Sequence, residues 1–154
     1  MHFSTTWYGH LKLTSFGLIK PYTKVCWLKT ICGGWCTSYR MHDEERWPCI
    51  FGCPDCKDEL KHYLICPILW QFPLPIVGMI SSISIGERLC IVRPSALKLR
   101  ALAITFFVYH SCRNDNLCRS AIAAVANGIC NPADQFALVQ SRAEGFAATA
   151  GFIT

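Results

Sequence analysis

Charge is scarce in this chain. Of its 154 residues only 16% are Asp, Glu, Lys or Arg, while 52% are hydrophobic. That balance excludes disorder throughout, because enough apolar surface is present to offset the entropy of ordering the chain. Long apolar runs are missing as well. Leu74–Ile85 and Ala101–Tyr109 are the longest; both fall short of the ~20 residues a membrane span needs, and Pro73, Pro75 and Gly78 break the first. No membrane partner is expected. No export signal is expected either, since Lys12, Gly17 and Lys20 interrupt the place its apolar region would occupy. The signatures of catalysis are equally absent: no Gly-x-Ser-x-Gly elbow, no P-loop, no phosphate-cradling glycine loop and no His-Glu-x-x-His pair. The expectation is a chain that is not an enzyme.

What the chain does have in quantity is cysteine, eleven in all. An odd count without an export signal argues against a disulfide scaffold. It argues for reduced thiols in an intracellular setting, nuclear or cytoplasmic and not secreted. Cysteines that cluster in such a setting are metal ligands first. Cys49, Cys53, Cys56, His62 and Cys66 place five candidate ligands within eighteen residues.

Zinc takes four thiolate or imidazole ligands in a tetrahedron, commonly one pair on a turn and a second on a helix. Gly52 and Pro54 are turn residues. A helix over Lys57–Cys66, stopped by Pro67, puts His62 and Cys66 at i and i+4 on one face. The turn pair is open at this point: Cys53 and Cys56 enclose the tighter two-residue spacer with Pro54, whereas Cys49 and Cys53 enclose three residues with Gly52 relieving the bend. Ligands are in surplus and no general base stands beside them, so the site reads as closed and structural rather than catalytic. Asp58 and Glu59 read as acids that favour the dipole of a short helix start.

Around this cluster the periodicity is helical, and the fold class is mainly α: a small zinc-knuckle module, turn plus short helix, with a helical C-terminal extension. Residues 1–20 show no sustained period. Pro21 opens a short helix with Val25, Leu28 and Ile31 or Cys32 at helical spacing, ended by Gly33 and Gly34. Thr37–Trp47 reads as a polar surface connection, and Pro67–Pro75 as a rigid non-helical connector. Ser84 and Glu87 form a capping box for a helix that stops near Arg93, ahead of Pro94. Ser95 caps a longer helix through about His110, with Leu99, Leu102, Phe106 and Tyr109 as its core face. A short Ala-rich helix ends at Asn127 and Gly128; Asn131, Pro132 and Asp134 start another, whose Ala- and Gly-rich tail frays beyond Ala143. The division is 1–20 unassigned, 21–75 zinc-binding module with its preceding helix, 76–145 helical extension and 146–154 frayed tail.

The net charge is +5, and it is concentrated. Arg88, Arg93, Lys98, Arg100, Arg113 and Arg119 face a single acid, Asp115, over one stretch that carries the whole excess. A polyanionic partner and a solvated helix face both fit such a stretch.

Several segments together carry a resemblance: Leu28–Thr30, Gly34–Ser38, Arg40–His42, Pro48–Cys53 and Asp58–Pro67. They resemble the segment that follows the polymerase domain in non-LTR (LINE-like) retrotransposon reverse transcriptases, above all the copies of dinoflagellate type. The likeness runs from about Lys24 to Asn114, and its most specific part is the Cys-x3-Cys and His-x3-Cys core. It implies a structural zinc held by Cys49, Cys53, His62 and Cys66, with Cys56 the spare cysteine and alternative ligand. It further implies association with RNA or DNA, for which Arg40, Arg46, Arg88, Arg93, Lys98 and Arg100 are candidate phosphate contacts and Trp47 a candidate stacking platform. No Tyr-x-Asp-Asp polymerase motif occurs, so the expectation is a non-catalytic zinc-binding, nucleic-acid-associated module, a degenerate fragment of a larger element. The alternative is a zinc-stabilised structural module that docks on another polypeptide and has no nucleic-acid role.

Overall fold

The computed structural model describes residues 19–44, 46–78 and 84–153, with side chains of the last helix described as far as Ala150. In chain order the helices are α1 (Pro21–Ile31), α2 (Ser38–Met41), α3 (Leu60–Tyr63), a 3-10 turn (Leu69–Gln71), α4 (Leu74–Val77), α5 (Ile85–Arg88), α6 (Ala96–Asn114), α7 (Asn116–Ala126) and α8 (Pro132–Ile153). The fold is mainly α. Among the described residues there is no strand, and the antiparallel bridge between Pro48 and Lys57 stands alone. No helix among them is long and apolar enough to cross a membrane. Most of the unassigned N-terminal segment lies outside the described residues.

A helix that is apolar on every side has to be central, and α6 is that helix. Ser95 caps it by accepting from the Lys98 N–H. From there Leu99, Ala101, Leu102, Ala103, Ile104, Thr105, Phe106, Val108, Tyr109 and Cys112 are all buried. Helices α1, α7 and α8 pack around it, with α4, α5 and the 3-10 turn against its remaining sides. The expected core face, Leu99, Leu102, Phe106 and Tyr109, is buried as the spacing predicts. The helix runs one turn past His110 because nothing stops it before Asp115. That residue closes α6 and caps α7, its Oδ1 accepting from the Cys118 N–H at 3.0 Å.

Several local expectations change. In α1 the apolar residues at helical spacing, Val25, Leu28 and Ile31, face outward, and Thr23, Cys26 and Thr30 turn inward. Polar burial works there because Thr30 Oγ1 donates to Cys26 O at 2.8 Å and accepts from Trp35 Nε1 at 2.9 Å, which leaves both groups satisfied. The connection over Thr37–Trp47 is not wholly on the surface: it contains α2, and Thr37 and Ser38 are buried. The segment Pro67–Pro75 holds the 3-10 turn and the start of α4, because its prolines sit where a helix start tolerates them. The Ala- and Gly-rich tail does not fray at Ala143. α8 continues to Ile153, burying Val139, Ala143, Ala147 and Ala150 along one stripe. Small side chains at that spacing let the helix lie close to α6 and α7, so the tail is held by packing rather than by propensity.

Arg142 on α8 pairs with Asp115 at the α6–α7 corner. This guanidinium, and after it the Cys118 N–H, holds the Asp115 carboxyl below its usual range, against the opposing effect of burial. A carboxyl whose native pKa is lowered stabilises the fold above its unfolded value, about 4, and loses that contribution as pH falls through the lower native value. Urea unfolding of the wild type and Asp115→Asn should therefore show a constant gap in midpoint between pH 7 and 5. The gap should close below about pH 4; a gap independent of pH down to 3 would refute the pairing.

Candidate metal centre

The chain from Trp47 to Asp58 closes into a tight hairpin. Cys49 N–H donates to Cys56 O at 2.8 Å and Asp58 N–H to Trp47 O at 2.9 Å, on either side of the Pro48–Lys57 bridge. Inside it the Gly52 N–H donates back to Cys49 O at 3.0 Å, with Gly52 at φ +87°. A β-carbon at Gly52 would lie 2.6 Å from the Phe136 ring of α8, so glycine is needed both for the turn and for the approach of that helix. Gln140 Nε2, also on α8, donates to Phe51 O at 2.8 Å. The C-terminal helix is thereby seated on the hairpin.

The expected helix over Lys57–Cys66 shrinks to the single turn α3, because Lys57 and Asp58 are held in the hairpin. Beyond it the chain tightens, Leu64 N–H reaching Leu60 O and Ile65 N–H reaching His62 O. Cys66 still arrives beside His62. The structure gathers Cys49, Cys53, His62 and Cys66, all buried, with their ligand atoms within 4.8 Å of one another. Cys53 Sγ and Cys66 Sγ are 3.5 Å apart. At a zinc–sulfur bond of about 2.3 Å the edge of a tetrahedron is about 3.8 Å, so closing on a metal needs side-chain shifts on the order of an ångström. Cys56 is outside the group; its carbonyl serves the hairpin, and its half-buried side chain lines a surface cleft.

Two observations bear on whether these residues fit a metal. His62 Nε2 is buried and has no hydrogen-bond partner among the described residues, a costly state for a ring nitrogen unless something binds it. The thiols are also unequal. Cys49 is brought down to about 5, chiefly because Cys66 donates to it and then because the N–H groups of Cys53 and Phe51 do. Burial and the charge on Cys49 push Cys53 up to about 11, and donation to Cys49 pushes Cys66 higher still. Three thiols in one pocket thus hold one negative charge readily. The second and third proton leave only if a cation takes their place. Leu69 N–H, 3.4 Å from Cys66 Sγ, is an outer-shell donor for that sulfur.

Beneath the four ligands lies a residue whose importance the sequence hides. Asp58 is fully buried. Its Oδ1 accepts from Tyr63 Oη at 2.7 Å and Tyr109 Oη at 2.9 Å, and its Oδ2 from the Ser38 N–H at 2.6 Å, with Arg113 Nε 3.9 Å away. Burial, and then the Asp58 charge, pushes both tyrosines well above their ordinary pKa, so they stay protonated donors. Tyr63 Oη in turn accepts from the Ile50 N–H at 3.2 Å. Asp58 is not a helix-dipole acid; it joins hairpin, α2, α3 and α6. The signal in the sequence was the pair of tyrosines carrying hydroxyls on otherwise apolar faces.

The other candidate residues are scattered. Arg40 and Arg46 are exposed, and the Arg46 guanidinium stands 4.6 Å over the Tyr39 ring. Trp47 is half-buried with Arg113 3.8 Å over its ring, so one of its faces is taken. Arg88 donates to Leu64 O at 2.9 Å and lies 4.8 Å over Trp70. Lys98 pairs with Glu87 at 3.1 Å, and Arg93 stands 3.9 Å from the same carboxylate. Arg100 is half-buried. The basic stretch is thus divided between internal roles and exposed ones. Comparison with protein-family models, with curated proteins and with solved structures finds no match.

Asp58→Ala would take the acceptor from the Tyr63 hydroxyl and the Ser38 N–H and leave Tyr109 only its longer bond to Cys36 O, at a cost of about 3–5 kcal/mol. Tyr109→Phe removes one donor and should cost about 1–2 kcal/mol. Urea unfolding reads both; a loss below about 1 kcal/mol for Asp58→Ala would deny this carboxylate its central place.

Proposed function

We propose that this chain is a non-catalytic zinc-binding module that associates with nucleic acid, akin to the region following the polymerase domain of a LINE-like reverse transcriptase. The observation that carries the zinc reading is the convergence of three buried thiols and an unpartnered imidazole nitrogen. Three sulfurs and one nitrogen form a donor set that suits zinc among the common divalent ions. Bound there, the metal would neutralise thiolates that otherwise repel one another and would tie the hairpin to α3. Its binding energy would then be folding energy for this part of the chain. All four positions are supplied by protein, which makes the site structural. All eleven cysteines are free thiols, and a centre built on three of them requires a reducing compartment, nuclear or cytoplasmic.

Support for the nucleic-acid part is the resemblance together with the positive excess, from which Arg93 and Arg119 stand exposed, and the exposed Arg40 and Arg46. Phosphate contacts through such residues make affinity fall with salt. A second reading, docking on a polypeptide, is favoured by one observation: Val25, Leu28 and Ile31 point outward from α1 at 46%, 50% and 42% exposure.

Recombinant protein prepared with zinc should contain about one zinc per chain by elemental analysis. Cys53→Ser combined with His62→Ala should abolish it, and Cys56→Ser should leave it unchanged. Metal-free protein, or loss of zinc in Cys56→Ser, would sink the assignment. Fluorescence anisotropy with a labelled oligonucleotide between 50 and 200 mM salt should show affinity falling steeply. Zinc-loaded protein that ignores the oligonucleotide at the lowest salt would favour the docking reading.

A further inference from the structure

Beside the metal centre lies an open cleft of about 480 Å³, lined by Tyr39, Arg46, Asp55, Cys56, Lys57, Glu59, Lys61 and His62. We propose that this cleft seats an unpaired nucleotide of a single-stranded nucleic acid, its base stacked on the Tyr39–Arg46 platform and its flanking phosphates on Lys57 and Lys61. The proposal rests on the nucleic-acid reading above and specifies where and in what form the partner binds.

Tyr39 is 60% exposed, the largest exposure of any aromatic ring among the described residues. An exposed ring on a loose loop would mean little. This one stands on α2, whose backbone is fixed from beneath: Ser38 N–H donates to the buried Asp58 carboxylate, Tyr39 N–H reaches Asp58 O at 3.4 Å, and Thr37 Oγ1 accepts from the Arg40 N–H at 3.2 Å. With Arg46 over it and 60% of the residue still exposed, this ring serves no core and offers a stacking face at little entropic cost. The Arg46 guanidinium, 4.6 Å from that ring, extends the platform with a planar cation.

The charges around the platform are mixed, and the mixture fits a nucleotide better than a bare phosphate. Lys57 is exposed and makes no ion pair among the described residues. Lys61, whose side chain is 81% exposed, pairs with Glu59 at 3.1 Å, a surface pair of little strength that a phosphate can displace. Asp55 and Glu59 would repel an isolated anion, yet a carboxylate is what accepts from the exocyclic amine of a base. Volume agrees: about 480 Å³ lies within the range of sites that hold one small ligand. A duplex keeps its bases stacked inside and cannot use such a platform, so single strands are the form recognised. Cys56 and His62 line the cleft, so metal loading of the neighbouring centre shapes its wall.

The test uses the full zinc-loaded chain and a fluorescein-labelled 12-nucleotide single strand, with the same strand in a duplex as control. Tyr39→Ala should weaken single-strand binding by about tenfold or more, with zinc content and unfolding midpoint unchanged because the ring's contact with Arg46 lies on the exposed surface. Tyr39→Phe should bind like the wild type. Lys57→Ala should lower the slope of log affinity against log salt by about 0.7. If the wild type binds the single strand while Tyr39→Ala binds within twofold of it, or if duplex is bound as tightly, the cleft is not the seat and the broader nucleic-acid reading survives. If the zinc-loaded wild type binds neither form at 50 mM salt, both are overturned.

Discussion

A carboxylate can be removed from water only if donors replace the water around it. Asp58 meets that demand from four directions at once: the Tyr63 hydroxyl on α3, the Tyr109 hydroxyl on α6, the Ser38 N–H at the start of α2, and the Arg113 charge at the end of α6. These donors come from three helices, α2, α3 and α6, so satisfying this one group brings hairpin, short helices and central helix into a single arrangement. The same condition sets the form of the metal centre. With Asp58 N–H bonded to Trp47 O, residues 57 and 58 belong to the hairpin, and the helix carrying His62 can begin only after them. The aromatic stack of Trp35, Tyr63 and Tyr109 then fills the space around the carboxylate, Trp35 lying 4.9 Å from Tyr109 and 6.0 Å from Tyr63.

The candidate metal centre rests on this base and is closed from above by the last helix. Phe136 fills the space that the missing side chain of Gly52 leaves, and Gln140 satisfies Phe51 O. The C-terminal third is therefore a wall of the same structure and not an appendage. Its cohesion follows from alanines spaced to meet α6 and α7 and from Arg142 at the α6–α7 corner. Within the centre, three thiols and an imidazole share one pocket in which only one negative charge is comfortable without a cation. A cation would relieve that imbalance, and the four groups could hold a metal ion.

Legibility varied with the range of the forces involved. Capping is local: Ser84 with Glu87, and Ser95 with Lys98 N–H, act over three residues and could be read directly. The central helix was legible from Leu99, Leu102, Phe106 and Tyr109. α1 was not, because its outward Val25, Leu28 and Ile31 carry the stronger apolar period, and its inward threonines depend on Trp35. The tail looked weak for a similar reason: alanines give little signal until a partner helix is placed against them. The basic stretch looked like one feature in one dimension, yet Arg88 and Lys98 turn to internal acceptors whereas Arg93 and Arg119 stay exposed.

By itself the sequence determined the helical class, the element starts set by caps and prolines, and the clustering of five candidate ligands, Cys49, Cys53, Cys56, His62 and Cys66, within eighteen residues. Those are properties of chain geometry over a few residues. Only the tertiary structure decided that Cys49 rather than Cys56 joins the cluster, that Asp58 is a buried hub rather than a helix-end acid, and that Tyr39 is exposed where Trp47 is half-buried. Each of these depends on which distant side chain supplies a donor or covers a surface, and such pairings arise when the packed helices bring together residues from the two ends of the chain.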